Sequence, residues 1–327
     1  MGSLTSVSVL LPAWNERRLL GRCLESLLSL DWPCLEVIVS AGGEDGTYDE
    51  ARRYAGTRVT VIEQRRGEGK QRALRRCLAE ANGEVIYLTD ADCVVPQEAF
   101  WATLRPVCER QVDAATGLSV PLPEQRGNPL VRYQWGKDIS GTRRHGAFAH
   151  GVLGRNCAIR RSLFDALQLL TQDVPSGTDF HVSQMLRKAG VKIAWADSFV
   201  FSQYPTTASA YVRMWRRWIK NVLVQGVAAR SIREVRITGV GVASGMAILS
   251  APMLFPVFGR RLALLWLALF GGVTLRRAAA HQREVRAGRI PPLDHPGFSF
   301  PAFVVLDSVA AVAGLVAAIV PSMRGRW

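Results

Sequence analysis

Over the first 120 residues, short apolar runs alternate with longer stretches whose apolar positions recur at helical spacing. Residues 7–11 are the first such run. Residues 16–30 come next, with Leu19, Leu20, Cys23, Leu24, Leu27 and Leu28 on one helical face. Further strands are expected at 37–39, 59–62 and 85–88, with helices over 48–54 and 70–81 between them. Such alternation predicts βαβ units and an α/β domain on a mostly parallel sheet. Pro96 opens another helix, running to Glu109, and 114–120 reads as one more strand. From 121 to 205 the pattern loosens, and Gly, Arg and His are frequent. Within that stretch 152–159, 191–195 and 198–201 are expected to be extended, and 179–188 helical.

The last third changes character. Within 208–230, Tyr211, Met214, Trp215, Trp218, Ile219 and Val222 recur at helical spacing among Arg213, Arg216, Arg217 and Lys220. A basic helix with aromatic residues on its apolar face suits a membrane interface. A core helix with a solvated basic face fits the same spacing. The residues beyond this helix favour the membrane. Residues 237–258 are free of charge, a run long enough to span a bilayer. Residues 262–275 read as the return leg of a hairpin, and 300–320 as a third candidate broken only by Asp307. The loop before that third segment carries Arg276, Arg277, Arg283, Arg286 and Arg289, against Arg260 and Arg261 at the first turn. This asymmetry puts the larger loop and the N-terminal domain on the cytoplasmic side of a cell membrane, with the C-terminus outside. Gly241 and Gly245 have the G-x-x-x-G spacing that can seat one helix against another. The expected organisation is therefore a globular domain over 1–205, an amphipathic interfacial helix over 206–234 and a multi-pass membrane domain over 235–327.

Composition sharpens this picture. Apolar residues make up 48% of the chain and the mean hydropathy is +0.09, with the excess in the last third. A net charge of +14 asks for an anionic partner: phosphate-bearing substrate, anionic lipid or nucleic acid. Much of that charge flanks the apolar segments, where the positive-inside rule accounts for it, so no nucleic acid is expected. The six cysteines lack C-x-x-C spacing, which argues against a zinc site or a disulfide framework and for a reducing compartment. Residues 1–4 lead straight into a strand pattern without a signal peptide, so the globular part is expected in the cytoplasm.

Candidate chemistry starts at Thr89-Asp90-Ala91-Asp92, directly after the apolar run 85–88. Residues two apart on extended backbone point to the same side, so Asp90 and Asp92 can converge on one cation. Carboxylates completed by substrate phosphates are the usual protein ligands of Mg²⁺ or Mn²⁺. The carboxyl end of a strand is also where open α/β sheets bind their ligands.

Several segments in order resemble glycosyltransferase family 2. They are Val9-Leu10-Leu11-Pro12-Ala13-Trp14-Asn15-Glu16, Asp45-Gly46-Thr47, Gly69-Lys70-Gln71-Arg72-Ala73-Leu74, Thr89-Asp90-Ala91-Asp92 and Gly177-Thr178-Asp179. The resemblance covers roughly residues 5 to 220. It implies a Rossmann-like GT-A fold, a UDP- or GDP-sugar donor, Mg²⁺ or Mn²⁺ on Asp90 and Asp92, and inversion at the anomeric carbon. Donor contacts would fall to Pro12, Asn15, Glu16, Lys70 and Asp90. Asp179 would be the base, with Asp173 as the rival carboxylate. Gly151-Val152-Leu153-Gly154-Arg155-Asn156 looks like the family's glycine-rich acceptor-side segment, which puts Gly154, Arg155 and Asn156 near the acceptor.

The residue chemistry fits this independently. A sugar diphosphate gains negative charge as its glycosidic bond breaks, and a cation on Asp90 and Asp92 would neutralise it. Lys70, with Arg65 or Arg66, would add fixed positive charge. A carboxylate within reach of the acceptor hydroxyl must take its proton. Two departures from the family stand out. Ser40-Ala41-Gly42-Gly43 replaces an acidic pair that often meets the nucleobase, so the nucleobase stays open. Processive members carry Q-x-x-R-W, whereas this chain has Met214-Trp215-Arg216-Arg217-Trp218. Arg217 for the donor diphosphate and Trp218 for the donor and acceptor sites compete with simple interfacial anchoring. The leading expectation is an inverting transferase acting on a lipid or lipid-linked acceptor at the cytoplasmic membrane face. A processive polysaccharide synthase, as an oligomer, and a non-catalytic membrane-anchored binding protein are the alternatives.

Overall fold

The computed structural model describes residues 5–142, 144–174 and 176–320. The expected lead-in at residues 1–4 lies outside the described residues. The chain forms two compact units, one of Met1–Val120 with Arg143–Gln203, the other of Pro121–Thr142 with Tyr204–Trp327.

In the first unit the chain runs β1 (Val7–Trp14), α1 (Arg17–Leu28), β2 (Leu35–Gly42), α2 (Thr47–Arg52), β3 (Val59–Glu63) and α3 (Gly69–Glu80). It continues through β4 (Val85–Leu88), β5 (Cys93–Val94), α4 (Gln97–Cys108) and β6 (Ala114–Pro121). After α5 (Pro129–Gly141), which belongs to the second unit, come β7 (Arg144–His145), β8 (Phe148–Ala149), β9 (Cys157–Arg160), α6 (Arg161–Ala166), α7 (Thr178–Lys188) and β10 (Ile193–Ser202). The segments expected at 191–195 and 198–201 are thus one strand. Of 152–159 only the end is strand, and the rest is a turn fastened to α7.

The sheet order is β3-β2-β1-β4-β9-β6-β10-β8-β7, with β5 on β10. The block β3-β2-β1-β4 is parallel. β9 runs antiparallel to β4 and β6, as do β8 and β5 to β10. The sheet is therefore mixed rather than mostly parallel. Parallel pairing needs a helical crossover between the paired strands. Beyond α4 the chain instead leaves for the second unit and returns through the β7–β8 hairpin.

Period-two alternation in the central strands buries both faces. Val7, Val9, Leu11, Val37, Val39 and Tyr87 pack with Leu20, Leu24 and Leu27 of α1 and Phe100 and Leu104 of α4. Leu10, Ile38, Ile86 and Leu88 pack with Leu74 and Cys77 of α3, Phe164 of α6 and Val182 and Leu186 of α7.

The second unit contains α5, α8 (Ala208–Ala228), α9 (Ile232–Arg286) and α10 (Pro296–Ile319). Asn128 caps α5 by accepting from the backbone N–H groups of Leu130 and Val131, and Pro129 occupies the first turn. Among the described residues, α9 and α10 are long and apolar enough to cross a membrane. α9 breaks at Gly259 (φ 64°, ψ −156°). Beyond it Trp266 Nε1 donates to the Ile248 carbonyl at 2.9 Å, and its ring meets Phe255 edge-on. The legs 232–258 and 260–286 therefore run antiparallel, as the hairpin reading expected. Gly245 packs against Ser308 and Ala311 of α10, while Gly241 is exposed. α8 lies on α10 so closely that a Cβ on Gly314 would stand 2.6 Å from Ile219. Met253, Val257, Phe258, Leu265 and Leu275 remain exposed, a density of bare apolar side chains that suits lipid rather than water.

Candidate active site

The strand order reverses between β1 and β4, the point where open α/β sheets hold ligands beyond their strand ends. β1 delivers Asn15 and Glu16 there, and β4 delivers Asp90 and Asp92. Pro12 is half-buried on β1, beyond the last β1–β4 pair, where its missing N–H breaks no rung between these strands. Asn15 takes left-handed backbone (φ 57°), which asparagine tolerates, and its Oδ1 accepts from the Glu44 N–H at 2.8 Å. Its observed work is to shape the turn. The Glu16 N–H donates to Thr47 Oγ1 at 2.7 Å, and Asp45 holds Thr47 and the Arg17 N–H in turn.

Asp90 sits between two cations. Its Oδ1 accepts from Lys70 Nζ, and Oδ2 stands 3.5 Å from Arg155 Nε. Asp92 receives weaker contacts from Ser202 Oγ at 3.4 Å and the Cys93 thiol at 3.5 Å. Burial pushes the Asp92 carboxyl up; Arg155 opposes this and neighbouring Asp90 adds to it. Glu16 is pushed up to about 7 by burial and by the charges of Asp92, Asp90 and Asp45. For Lys70, burial lowers the pKa, but Asp90 and Asp179 outweigh it and the ammonium ends above its ordinary value.

These residues suit a divalent cation. Asp90 and Asp92 are hard oxygen donors, and their crowding with Glu16 is an excess of negative charge that a cation would relieve. No cluster of three or more potential metal-binding side chains occurs among the described residues, and a cation held by Asp90 and Asp92 would need phosphate oxygens or water as further ligands.

Asp179 lies in the first turn of α7, after Gly177 in left-handed conformation (φ 78°). Its Oδ1 accepts from the Phe180 N–H at 2.9 Å. Ser183 Oγ donates to the Asp179 carbonyl at 2.7 Å and accepts from the Val152 N–H at 2.9 Å, fastening the 151–156 turn to α7. A Cβ on Gly154 would stand 3.3 Å from the Asp179 Cβ and 3.8 Å from Lys70 Nζ, so a glycine there lets Asp179 and Lys70 approach each other. Lys70, Leu74, Thr89, Gly154, Thr178 and Asp179 line a pocket at this point. Asp173 is elsewhere. It is exposed and gripped by Arg72 and Arg75, and hydrogen bonds from Arg72 hold its carboxyl below the usual range.

The structure thus brings together Glu16, Lys70, Asp90, Asp92, Gly154, Arg155 and Asp179. Asn156 differs from its expected acceptor role. It is fully buried, and its Oδ1 accepts from Tyr87 at 2.8 Å and Thr103 at 2.9 Å. An acceptor has no access to it, and it acts instead as a core brace. Arg65 is exposed, and Arg66 pairs with Glu44 at the surface. Arg217 and Trp218 are exposed on α8, in the second unit. Sequence reasoning missed two supports: Thr89 Oγ1 donates to the Arg155 carbonyl at 2.9 Å, and Ser202 reaches Asp92. Thr89 was visible as the residue before Asp90, but Ser202 gave no signal because β10 arrives from far along the chain.

A mixed sheet of this order, with two aspartates after β4 at the switch point, defines a GT-A-like domain. Residues 5–221 match the family described as "Glycosyltransferase like family 2", and the chain belongs to that family. It is similar to Glycosyltransferase AglE of Haloferax volcanii, 25% identical over 215 residues, covering 61% of this chain and 66% of that one. Probable glycosyltransferase YdaM of Bacillus subtilis is 26% identical over 237 residues, covering 67% and 56%. The chain therefore spans only part of these relatives' lengths. Among solved structures, mannosyltransferase PcManGT from Pyrobaculum calidifontis, in complex with GDP-Man and Mn²⁺, superposes with a TM-score of 0.58 at 20% identity. That match covers 97% of this chain and 88% of the other, and at such identity it speaks for the fold.

Proposed function

We propose that the protein is an inverting glycosyltransferase that moves a sugar from a UDP- or GDP-sugar to a lipid or lipid-linked acceptor at the cytoplasmic face of a membrane. One observation carries the reading: Asp90, Asp92, Lys70 and Arg155 meet Asp179 around Gly154, at the switch point of the sheet. A nucleotide sugar and a divalent cation are what the neighbour from Pyrobaculum calidifontis holds.

Asp90 and Asp92 would hold Mg²⁺ or Mn²⁺, whose chemistry is charge neutralisation at the diphosphate oxygens. Lys70 and Arg155 supply fixed positive charge where the leaving diphosphate gathers electrons. Asp179, on the other side of Gly154, takes the proton of the acceptor hydroxyl as that oxygen attacks the anomeric carbon. Glu16 faces the donor end, where its carboxyl adds to the acidic crowding that a bound cation would relieve. Arg217 and Trp218 of α8 are proposed to meet diphosphate and acceptor, respectively.

The membrane part of the reading rests on the exposed apolar legs of α9, on α10 and on the basic, aromatic α8. Arg276, Arg277, Arg283, Arg286 and Arg289 concentrate at the far end of α9 and just after it, which by the positive-inside rule supports a cytoplasmic first unit.

The test is nucleoside diphosphate release by protein in lipid, across a nucleotide-sugar panel with Mg²⁺ or Mn²⁺, with and without membrane-lipid extract. Cation-dependent release that rises with extract and disappears in Asp92→Asn is expected. Silence across the panel from folded, inserted protein would count against a transferase.

A further inference from the structure

Helix α3 grips the chain that leads into α7. At its N-terminal end Lys70 faces Asp90. One residue on, Gln71 is buried and donates to the Gln172 carbonyl. Arg75 donates to the Leu170 and Thr171 carbonyls, each at 2.7 Å, and to Asp173 Oδ1 at 2.9 Å. Arg72 takes Asp173 Oδ2 through Nε at 3.1 Å and Nη2 at 2.6 Å. Each residue from Leu170 to Asp173 is thereby bonded to α3, while Leu169 and Leu170 are buried in the core. A short lead then reaches Gly177 and the first turn of α7, where Asp179 sits.

Isolated exposed ion pairs contribute little. This contact is different in kind, because both guanidinium groups bond in fixed directions and the buried Gln71 amide adds a third anchor. We propose that Arg72, Arg75 and Asp173 form a clasp that positions Asp179, tying the base-bearing segment to the helix that offers Lys70 to the donor. None of the three lines the pocket, so they are positioning residues. The inference rests on the reading of Asp179 as the base. α3 then couples the two halves of the reaction: its first turn meets the diphosphate, and its next turn sets the carboxylate that activates the acceptor. Misplacement of a reacting group by about 1 Å costs on the order of 100-fold in rate, so a loosened clasp is expressed in kcat. Donor binding keeps its own partners and is expressed in KM, which should not move.

The experiment is steady-state transfer by the full chain in lipid, with hydrogen–deuterium exchange over residues 176–183, for Asp173→Ala, Arg72→Ala and Asp173→Glu. Asp173→Ala and Arg72→Ala are expected to lower kcat roughly tenfold, with donor KM within about twofold of the parent and faster exchange at 176–183. The double substitution should cost little more than either single one, and Asp173→Glu, which keeps the carboxylate, should recover most of kcat. Unchanged kcat and exchange would overturn the clasp. So would a loss of donor affinity together with faster exchange throughout the first unit, which is the mark of a merely structural pair. If the parent protein transfers no sugar, the reading of Asp179 fails, and the exchange pattern alone decides whether the clasp holds its segment.

Discussion

Asp90 in the first unit and Asp307 in the second invite comparison, because each carries a lysine and an arginine. Asp90 has Lys70 and Arg155; Asp307 has Lys137 at 2.6 Å and Arg277 at 3.7 Å. Around Asp307 the chemistry is complete. Tyr211 donates to Oδ1, Tyr133 donates to Oδ2 at 2.7 Å, and the Lys137 ammonium lies 3.7 Å over the Trp215 ring. Two cations and two hydroxyls serve one carboxylate. Around Asp90 the balance is reversed: Asp92 and Glu16 add acid, and Asp92 takes weak hydrogen bonds from Ser202 and Cys93. A carboxylate satisfied by its own protein is a fastener, here between α5, α8, α9 and α10. One crowded by other carboxylates carries an excess of charge that a bound cation would neutralise.

The largest expected effect breaks this comparison most directly. Asp92→Asn should cut nucleoside diphosphate release by about 100-fold or more, because charge at the diphosphate then lacks its counter-ion. In thermal unfolding without cation the same variant should be as stable as the parent or more so, since one of three crowded charges is gone. A marked fall in its melting temperature would mean that the acidic cluster is structural after all.

Asp307→Asn should behave in the opposite way. It leaves Lys137 and two tyrosines facing an uncharged amide, and breaking a buried pair from one side costs about 3–5 kcal/mol. The prediction is checked by thermal unfolding in lipid, where Lys137→Met with Asp307→Leu should be closer to the parent than Asp307→Asn alone. Parent-like stability of Asp307→Asn would leave the residue open to a functional role.

Asn156 gives a smaller, purely structural effect. Asn156→Ala strips the acceptor from the buried hydroxyls of Tyr87 and Thr103, of which Thr103 keeps Ser198, at about 1–3 kcal/mol for a group left unsatisfied. Chemical denaturation should show the loss, and a parent-like donor KM in the surviving folded protein should accompany it.

The contrast between the two carboxylate sites also marks what the sequence could disclose. Asp90 and Asp92 were legible because strand period and carboxylate spacing are local. The parallel block was legible too, since each strand is followed by a helix with an apolar face. α5 was not: its buried residues include Leu130, Val131, Tyr133, Gln134, Trp135 and Gly136, nearly a consecutive run, so no face repeats at helical spacing. Its start was written only in Asn128-Pro129. The antiparallel half of the sheet was hidden because β9 and β10 pair with strands distant along the chain. Asn156 was misread for a related reason: its partners Tyr87 and Thr103 are brought to it by the fold alone. The two legs of α9 were visible in the apolar runs, and Gly259 proved to be the break between them.

The smallest effect tests the comparison with a third carboxylate, one that pairs with no cation among the described residues. Glu36 accepts from Ser8 Oγ and from the Asn82 N–H, both at 2.6 Å. Burial pushes its pKa up, but these hydrogen bonds prevail and hold it below the ordinary value. A carboxyl whose folded pKa is depressed adds stability above its unfolded pKa of about 4.3 and loses it as pH falls through the folded value. Glu36→Gln should therefore cost under about 1 kcal/mol near pH 7, discounted for partial exposure, with sugar transfer unchanged. At a pH below that depressed folded value the gap between variant and parent should close, because the parent's own carboxyl is then neutral. Denaturation at the two pH values decides it. A gap that persists in acid would locate the effect in shape rather than charge, and would remove Glu36 as the neutral reference between Asp90 and Asp307.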